Sequence, residues 1–437
     1  MLNSLLSTAS VMKSIGGVLL AITILLVMVT VHEFGHYIAG KLLGFKINEF
    51  AVGFGPAIFK KRSKKTGELF ALRVVPLGGY CAFDGEDEAD EEPQEKAEEP
   101  FAEMQAEKAE KAEETEKQEE TPQTEEYPEP KGERFNDQPP WKRIIVLIAG
   151  ATMNYLLALF IIVMMFACIG RPVLQVEKFD YVLDKDGQKQ YYNTEKGLET
   201  YQSGLQSGDI ILEIEGKTMY LVSDYIDALR DKKSGDTVSL LIIRGGEKQS
   251  LEITIVDDAN AKNMSDTNAI FFSLGIACKE EMPNENGEMK MTLTRGGQIR
   301  QVPTRDGFFQ TLGNSFVYSF KIGGTVLRSL GELLTGKMSI KSMGGPITTI
   351  SFASEAASMG IFPLLNFAAL IGVNLAVFNL LPVPALDGSK VIFCIIEWIR
   401  KKPVNRKVEA IIHFVGIIFL FGFAILVDLI QIASKFI

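Results

Sequence analysis

The feature that most limits what this chain can become is a set of uncharged apolar runs too long for a soluble core. No charged residue occurs from Ser14 to Val31, from Ile144 to Gly170 or from Ala356 to Leu386, and a fourth apolar run covers about Ile411 to Val427. A helix crosses a bilayer with roughly 20 apolar residues, so each run is predicted to span one, the fourth being the shortest. The spans are placed at 14–40, 141–170, 362–388 and 410–432. The first is too long for the apolar core of a cleaved signal peptide, and no small-residue cleavage site precedes its polar end.

Positive charge orients the spans. Lys41, Lys46, Lys60, Lys61, Arg62, Lys64 and Lys65 follow the first, and Lys131, Arg134, Lys142 and Arg143 precede the second. Arg400, Lys401, Lys402, Arg406 and Lys407 lie between the third and fourth. With four spans all three clusters share one side, which the positive-inside rule makes the cytoplasm. Both termini and the segment between the second and third spans are then expected outside.

The formal charge of −10 belongs to one segment. Residues 84–133 hold 22 acidic side chains and five lysines, a net of −17, so the other 387 residues carry +7. This stretch of Glu, Ala, Lys, Gln and Pro has almost no large aliphatic residues to offset chain entropy and reads as an acidic low-complexity linker. Residues 172–300 read as folded. "SGLQSGDIILEIEGKTM" sets a turn before an alternating strand, "SDYIDALRD" is a short amphipathic helix, and "TVSLLIIRGGEKQSLEITI" is two strands joined through Gly245-Gly246. Residues 305–343 form an amphipathic connecting segment. Residues 41–83 make a β region beside the membrane, with "ELFALRVVPLGGYCAF" as its strands.

Chemistry concentrates at the polar end of the first span. His32-Glu33-Phe34-Gly35-His36 is HExxH, two of only three histidines in the chain. On a helix, residues i and i+4 share a face, so both imidazoles reach one zinc ion while Glu33 serves as the proton-transferring base. The four cysteines are scattered without CxxC spacing, which excludes a cysteine zinc site and a disulfide framework. A third ligand is needed. His413 is one candidate. Asp387 is the preferred one, being the first charge after 31 uncharged residues, where an ionisable group is costly and usually functional. Pro382 and Pro384 just before it predict unwound backbone, tolerated at membrane depth only against protein or a watery cavity.

These residues carry a close resemblance. HEFGH on a first span, "GFGP" (53–56), "LRVVPLGGY" (72–80) and "NLLPVPALDG" (379–388) resemble the site-2 protease family of intramembrane zinc metalloproteases. Within it the chain is most similar to the bacterial regulator-of-sigma-E protease type. The resemblance implies an α-helical polytopic membrane protein of about four transmembrane helices, with a membrane-associated β-loop and an inserted β-rich, PDZ-like extracytoplasmic domain. It implies zinc (Zn2+) held by His32, His36 and Asp387, with Glu33 catalytic and Asn379 near the scissile carbonyl as an oxyanion donor. Gly150 and Asn154 fit the family's GxxxN pattern on the second span, where Ala151 replaces the usual proline.

The same resemblance implies peptide-bond hydrolysis inside transmembrane segments of single-span proteins in the bacterial cell membrane. Anti-sigma factors or signal-peptide remnants are the implied substrates, cut after an upstream site-1 protease has shortened them; lipid surrounds the chain and no nucleic acid is involved. Pairing the unwound substrate as an added strand on residues 69–83 would hold it extended. The PDZ-like domain lacks a clear carboxylate-binding loop, so size exclusion stands beside peptide-tail capture as its role. Two other readings remain open: a non-proteolytic PDZ membrane scaffold with a structural metal, which leaves Glu33 without a task, and a sporulation-type pro-sigma-factor protease, a branch that usually lacks the PDZ insertion.

Overall fold

The computed structural model describes residues 2–86, 127–176, 205–255 (except 207, 230 and 234), 299–339 and 344–433, with the short pieces 182–183, 189–190, 274, 277–283 and 289–295. Most of the acidic linker, 87–126, lies outside the described residues. In chain order, helix α1 is Leu2–Leu43, strands β1 and β2 are Ile47–Arg62 and Leu69–Phe83, and α2 is Pro140–Cys168. A β-rich part follows, with β3 (Arg171–Val176), β4 (Ile210–Ile214), α3 (Val222–Leu229), β5 (Thr237–Arg244), β6 (Glu247–Thr254) and β7 (Ile299–Thr304). Then come α4 (Phe308–Leu334), α5 (Pro346–Met359), α6 (Ile361–Leu380), α7 (Asp387–Arg400) and α8 (Arg406–Ala433). The chain divides into two compact units, residues 1–160 with 325–437, and residues 161–324.

Among the described residues four helices are long and apolar enough to cross a membrane: Gly16–Leu43, Pro140–Cys168, Ile361–Leu380 and Arg406–Ala433. Inside such helices hydroxyls must be satisfied without water. Thr23 and Thr30 accordingly donate to the carbonyls of Leu19 and Leu26 at 2.8 and 2.7 Å. The first of these helices stops at Gly44, whose φ of +81° is the left-handed turn that closes many helices. Proline at the first position opens α2, where a missing N–H costs nothing.

In the first unit β1 and β2 fold against the end of α1. Residues 49–52 pair with 79–82 on one side and with 69–72 on the other, and 57–62 close against 69–73. The bends that allow this fall at Gly53, Gly55 and Gly78, with φ of +88°, +84° and +103°. The margins of the acidic segment belong to this structure. Lys46 N donates to Glu133 O (2.9 Å), Glu133 N to Gly44 O (3.0 Å) and Phe135 N to Asp84 O (2.7 Å). A hydrogen bond from Asn48, with Lys46 beside it, holds the Asp84 carboxyl below the usual range despite partial desolvation.

Three differences from the sequence reading concern the helices. The sequence places the third span at 362–388, whereas α6 ends at Leu380. Pro382 has no N–H to continue the ladder and biases Leu381 to an extended conformation, φ −70° and ψ 146°. Asp387 opens a separate amphipathic helix, α7, too short and too charged to stand out beside a longer apolar run. Helix α5 was also unexpected; its Thr, Ser and Ala residues show no strong period. It packs on α1 where a Cβ at Gly17 would fall 2.2 Å from Ser354 Oγ, and Asp428 of α8 accepts from Ile347 N (3.1 Å) and Thr348 Oγ1 (3.3 Å) at its first turn.

In the second unit six strands form an antiparallel sheet; five run in the order β7-β3-β4-β5-β6, and the short Lys217–Thr218 pairs with β4. It starts at Arg171, paired with Thr304, so the sheet reaches slightly beyond 172–300 at both ends. Alternate residues Val238, Leu240 and Ile242 of β5 enter a core with Ile211, Ile214 and Tyr225. Buried Asp209 takes a two-pronged ion pair from Arg244, at 2.9 and 2.7 Å.

Removing 87–126 through a short Gly/Ser bridge is expected to leave the apparent unfolding temperature of the purified protein unchanged. Removing 84–133 is expected to lower it by several degrees, because the backbone pairs above are lost. Equal midpoints for the two deletions in a fluorescence melt would contradict the packing of those margins.

Candidate metal centre

Helix α1 places His32 and His36 one turn apart on one face, both buried, with ring centroids 4.7 Å apart and planes nearly perpendicular. The first turn of α7 brings Asp387 to the same point. Its Oδ2 lies 3.1 Å from His32 Nε2 and 3.4 Å from His36 Nε2, and the two Nε2 atoms are 3.2 Å apart. A tetrahedral zinc with bonds of about 2.0–2.1 Å spaces its ligand atoms roughly 3.3–3.4 Å apart. Among the described residues these three form the one cluster of such donors. Asp387 Oδ2 is buried and makes no hydrogen bond. Two imidazole nitrogens and a carboxylate oxygen facing inward are a donor set that fits zinc.

The surroundings fix which nitrogen of each ring faces the cluster. His36 Nδ1–H donates to the Val146 carbonyl at 2.8 Å, leaving Nε2 with its lone pair. The amide of Asn154, fully buried on α2, lies 3.4 Å from His32 Nδ1, and Asn154 Oδ1 has no partner. Turning that amide about its terminal bond presents the oxygen to Nδ1–H and frees His32 Nε2 in the same way. Asn379, on the last turn of α6, has Nδ2 3.4 Å from both ring nitrogens of His32.

Close backbone approach makes this possible. A Cβ at Gly150 would fall 2.3 Å from His36 Nε2 and 2.7 Å from His32 Cε1, so the second helix can reach the imidazoles only as glycine. Gly35 meets the Ala149 carbonyl in the same crossing, at 2.5 Å for its absent Cβ. On the other side of α1, a Cβ at Gly79 would come 3.0 Å from Glu33 Cγ and 2.9 Å from the Ala51 carbonyl oxygen. Residues 79–83 therefore run past Glu33, and among the described residues they pair on one side only, with 47–52.

The structure thus brings together His32, Glu33, His36, Asn154, Asn379 and Asp387. His413 stays apart from the cluster; its Nδ1 accepts from Ala385 N at 3.1 Å and props the loop that leads to Asp387. Ala385 there has φ +78°, a strained conformation for alanine that this contact helps to hold. Gly35 and Gly79 stand inside the motifs HEFGH and LRVVPLGGY, but the sequence does not show which atoms they meet, nor that His413 supports a loop.

A family model described as Peptidase family M50 matches residues 20–423. The chain is similar to the regulator of sigma-W protease RasP of Bacillus subtilis (strain 168), 26% identical over 435 residues, covering 90% of this chain and 92% of the relative. It is equally similar to the zinc metalloprotease RasP of Bacillus licheniformis, 26% identical over 435 residues, covering 90% and 93%.

Replacing Gly150 by alanine is expected to push the imidazoles apart, so that the purified protein retains well under half of the zinc held by the wild type while still inserting in the membrane. Full zinc occupancy in Gly150→Ala by elemental mass spectrometry would contradict the close approach of α2.

Proposed function

The chain belongs to peptidase family M50, and on that premise we propose that His32, His36 and Asp387 hold its zinc, Glu33 transfers the proton and Asn379 meets the oxyanion. The protein is a zinc-dependent intramembrane metalloendopeptidase of the site-2 type, acting in regulated intramembrane proteolysis. The observation that carries the residue assignment is the inward-facing trio of donor atoms at 3.1–3.4 Å.

Zinc, when bound, supplies the Lewis acidity that makes water a nucleophile near neutral pH. Glu33, next to His32 on the helix and with its side chain against Gly79, takes the proton of the attacking water and delivers it to the leaving amine. The Asn379 amide donates to the carbonyl oxygen as charge develops on it. A metal kept only for structure would give Glu33 no such work.

A transmembrane substrate must unwind before its carbonyls can be attacked. Among the described residues, 79–83 pair on one side only and pass near Glu33, so adding the substrate there as a strand would keep it extended. Val74 and Val75 lie in the bend before this edge, with Val75 opposite Phe54, which narrows the site of strand addition from 69–83 to its second half. The substrates are single-span membrane proteins of the anti-sigma factor or signal-peptide remnant kind, presented after an upstream cut. The basic clusters flanking the spans support an active site on the cytoplasmic side of a bacterial membrane and both termini outside.

Glu33→Gln should keep one zinc per chain while cleavage falls about 10²–10⁴-fold, the usual weight of a positioned acid–base group. Asp387→Ala should lose zinc, and His413→Ala should retain it. The reverse pattern in metal analysis would remove Asp387 from the site.

Tyr80→Pro and Cys81→Pro test the edge separately. Neighbouring N–H groups in a strand point to opposite sides, so one of the two prolines removes an outward donor. That variant should slow cleavage of a leucine-rich span more than of a span with a central Asn-Gly, with zinc content unchanged. Indifference of both variants to the substrate pair would end the strand-addition reading.

A further inference from the structure

A cavity of about 340 Å³ lies within the first unit, one layer away from the zinc ligands, between the start of α2, α7 and the first three turns of α8. At its base is Arg143, 1% exposed. The Nη2 of Arg143 pairs with Glu397 Oε2 at 2.7 Å, but its Nε and Nη1 are buried and find no acceptor among the described residues. Lys390 and Arg406 also line the cavity, against two lining carboxylates, Glu86 and Glu409. Each of these is already engaged: Lys390 Nζ with Glu86 Oε1 at 2.7 Å, and Arg406 Nη1 with Glu409 Oε2 at 2.8 Å. With Glu397 counted, three cations meet three carboxylates, and the Nε and Nη1 of Arg143, on different sides of the guanidinium, remain open to donate to an oxyanion.

Leu147, Phe414 and Ile417 add apolar lining, and Phe414 is 64% exposed on α8. Its exposed face continues through Ile418 and Phe421, both exposed, along a helix long and apolar enough to cross a membrane. A ligand that satisfies both ends carries an oxyanion and a hydrocarbon tail together.

We infer that this cavity receives the phosphate of an anionic phospholipid on the buried guanidinium of Arg143, with an acyl chain along the exposed apolar face of α8. A different face of the same helix supports the loop before Asp387. His413 lines the cavity and accepts from Ala385 N, and Gly416 lies so close that a Cβ there would meet Pro384 Cβ at 2.4 Å. An occupant therefore stiffens the support of residues 381–386. Lipid binding is independent of the zinc assignment; only this consequence for Asp387 rests on it.

The test uses the full chain, zinc-loaded and purified in a neutral detergent, titrated with dioctanoyl phosphatidylglycerol by calorimetry. One lipid per chain is expected, with affinity reduced about tenfold or more in Arg143→Gln and by a smaller factor in Lys390→Gln, as befits loss of charge-assisted hydrogen bonds. Lys390→Gln, on the more open rim, decides the matter where Arg143→Gln does not fold, and unchanged zinc content shows that the variants keep their site. Dioctanoylglycerol, which lacks the phosphate, should not bind, and inorganic phosphate should bind more weakly than the lipid. Equal affinity of wild type and the folded variants overturns the inference. So does binding of dioctanoylglycerol as tight as that of the phospholipid, or of inorganic phosphate as tight, which would make the site one for soluble oxyanions.

Discussion

Two imidazole nitrogens and a carboxylate oxygen pointing at one another across 3.1–3.4 Å, shielded from water, need a positive charge among them. Much of the first unit serves to hold them there. The rings come for little cost, because α1 sets them one turn apart. The carboxylate comes from more than 350 positions away in sequence, and its place depends on how tightly three helices and a loop can crowd the imidazoles. Glycine is the means at each contact: Gly150 under the rings, Gly35 at the Ala149 carbonyl, and Gly388, whose Cβ would lie 2.3 Å from the Leu381 carbonyl oxygen. A side chain at Gly150 would press on the imidazoles themselves, and one at Gly35 or Gly388 on the backbone that sets the helices and the loop in place.

Hydrolysis beside spanning helices also requires backbone that is not helical, and the break after α6 supplies it. Residues 381–386 make few internal bonds and would be costly if exposed to hydrocarbon. They are covered by α8, through His413 on Ala385 and Gly416 on Pro384. The span nearest the loop is thus a structural part of the zinc site although it donates no ligand. On the other side of α1 the twice-bent β1–β2 pair brings Gly79 against Glu33, at the start of a stretch that pairs on one side only among the described residues.

Below this layer α2, α7 and α8 are tied by ions. Arg143 and Arg406 share Glu397, and Lys390 holds Glu86 at the end of the β1–β2 pair. Buried pairs of this kind are weak evidence for stability, since desolvation offsets much of the attraction, and stronger evidence for a unique arrangement. Here they fix the register of α7, whose first residue is Asp387. The β-rich unit rests on different physics, an antiparallel sheet with alternating inward aliphatics and the Asp209–Arg244 pair on its margin.

The apolar runs, the HExxH spacing and the isolated Asp387 were legible along the chain, because membrane length, helical period and the cost of an intramembrane charge are local properties. So were the strands around Gly245-Gly246 and the two prolines that end α6. The two short helices α5 and α7 were not, since neither is long or periodic enough to stand out beside an apolar run. Nor could sequence alone show that Gly79 lies against Glu33, that His413 supports a loop instead of a metal, or that Arg143 is buried with two open N–H groups. Each of those depends on which surfaces meet after the helices pack. A linear pattern records what a residue prefers, while the distance from Gly150 to an imidazole exists only once two helices have crossed.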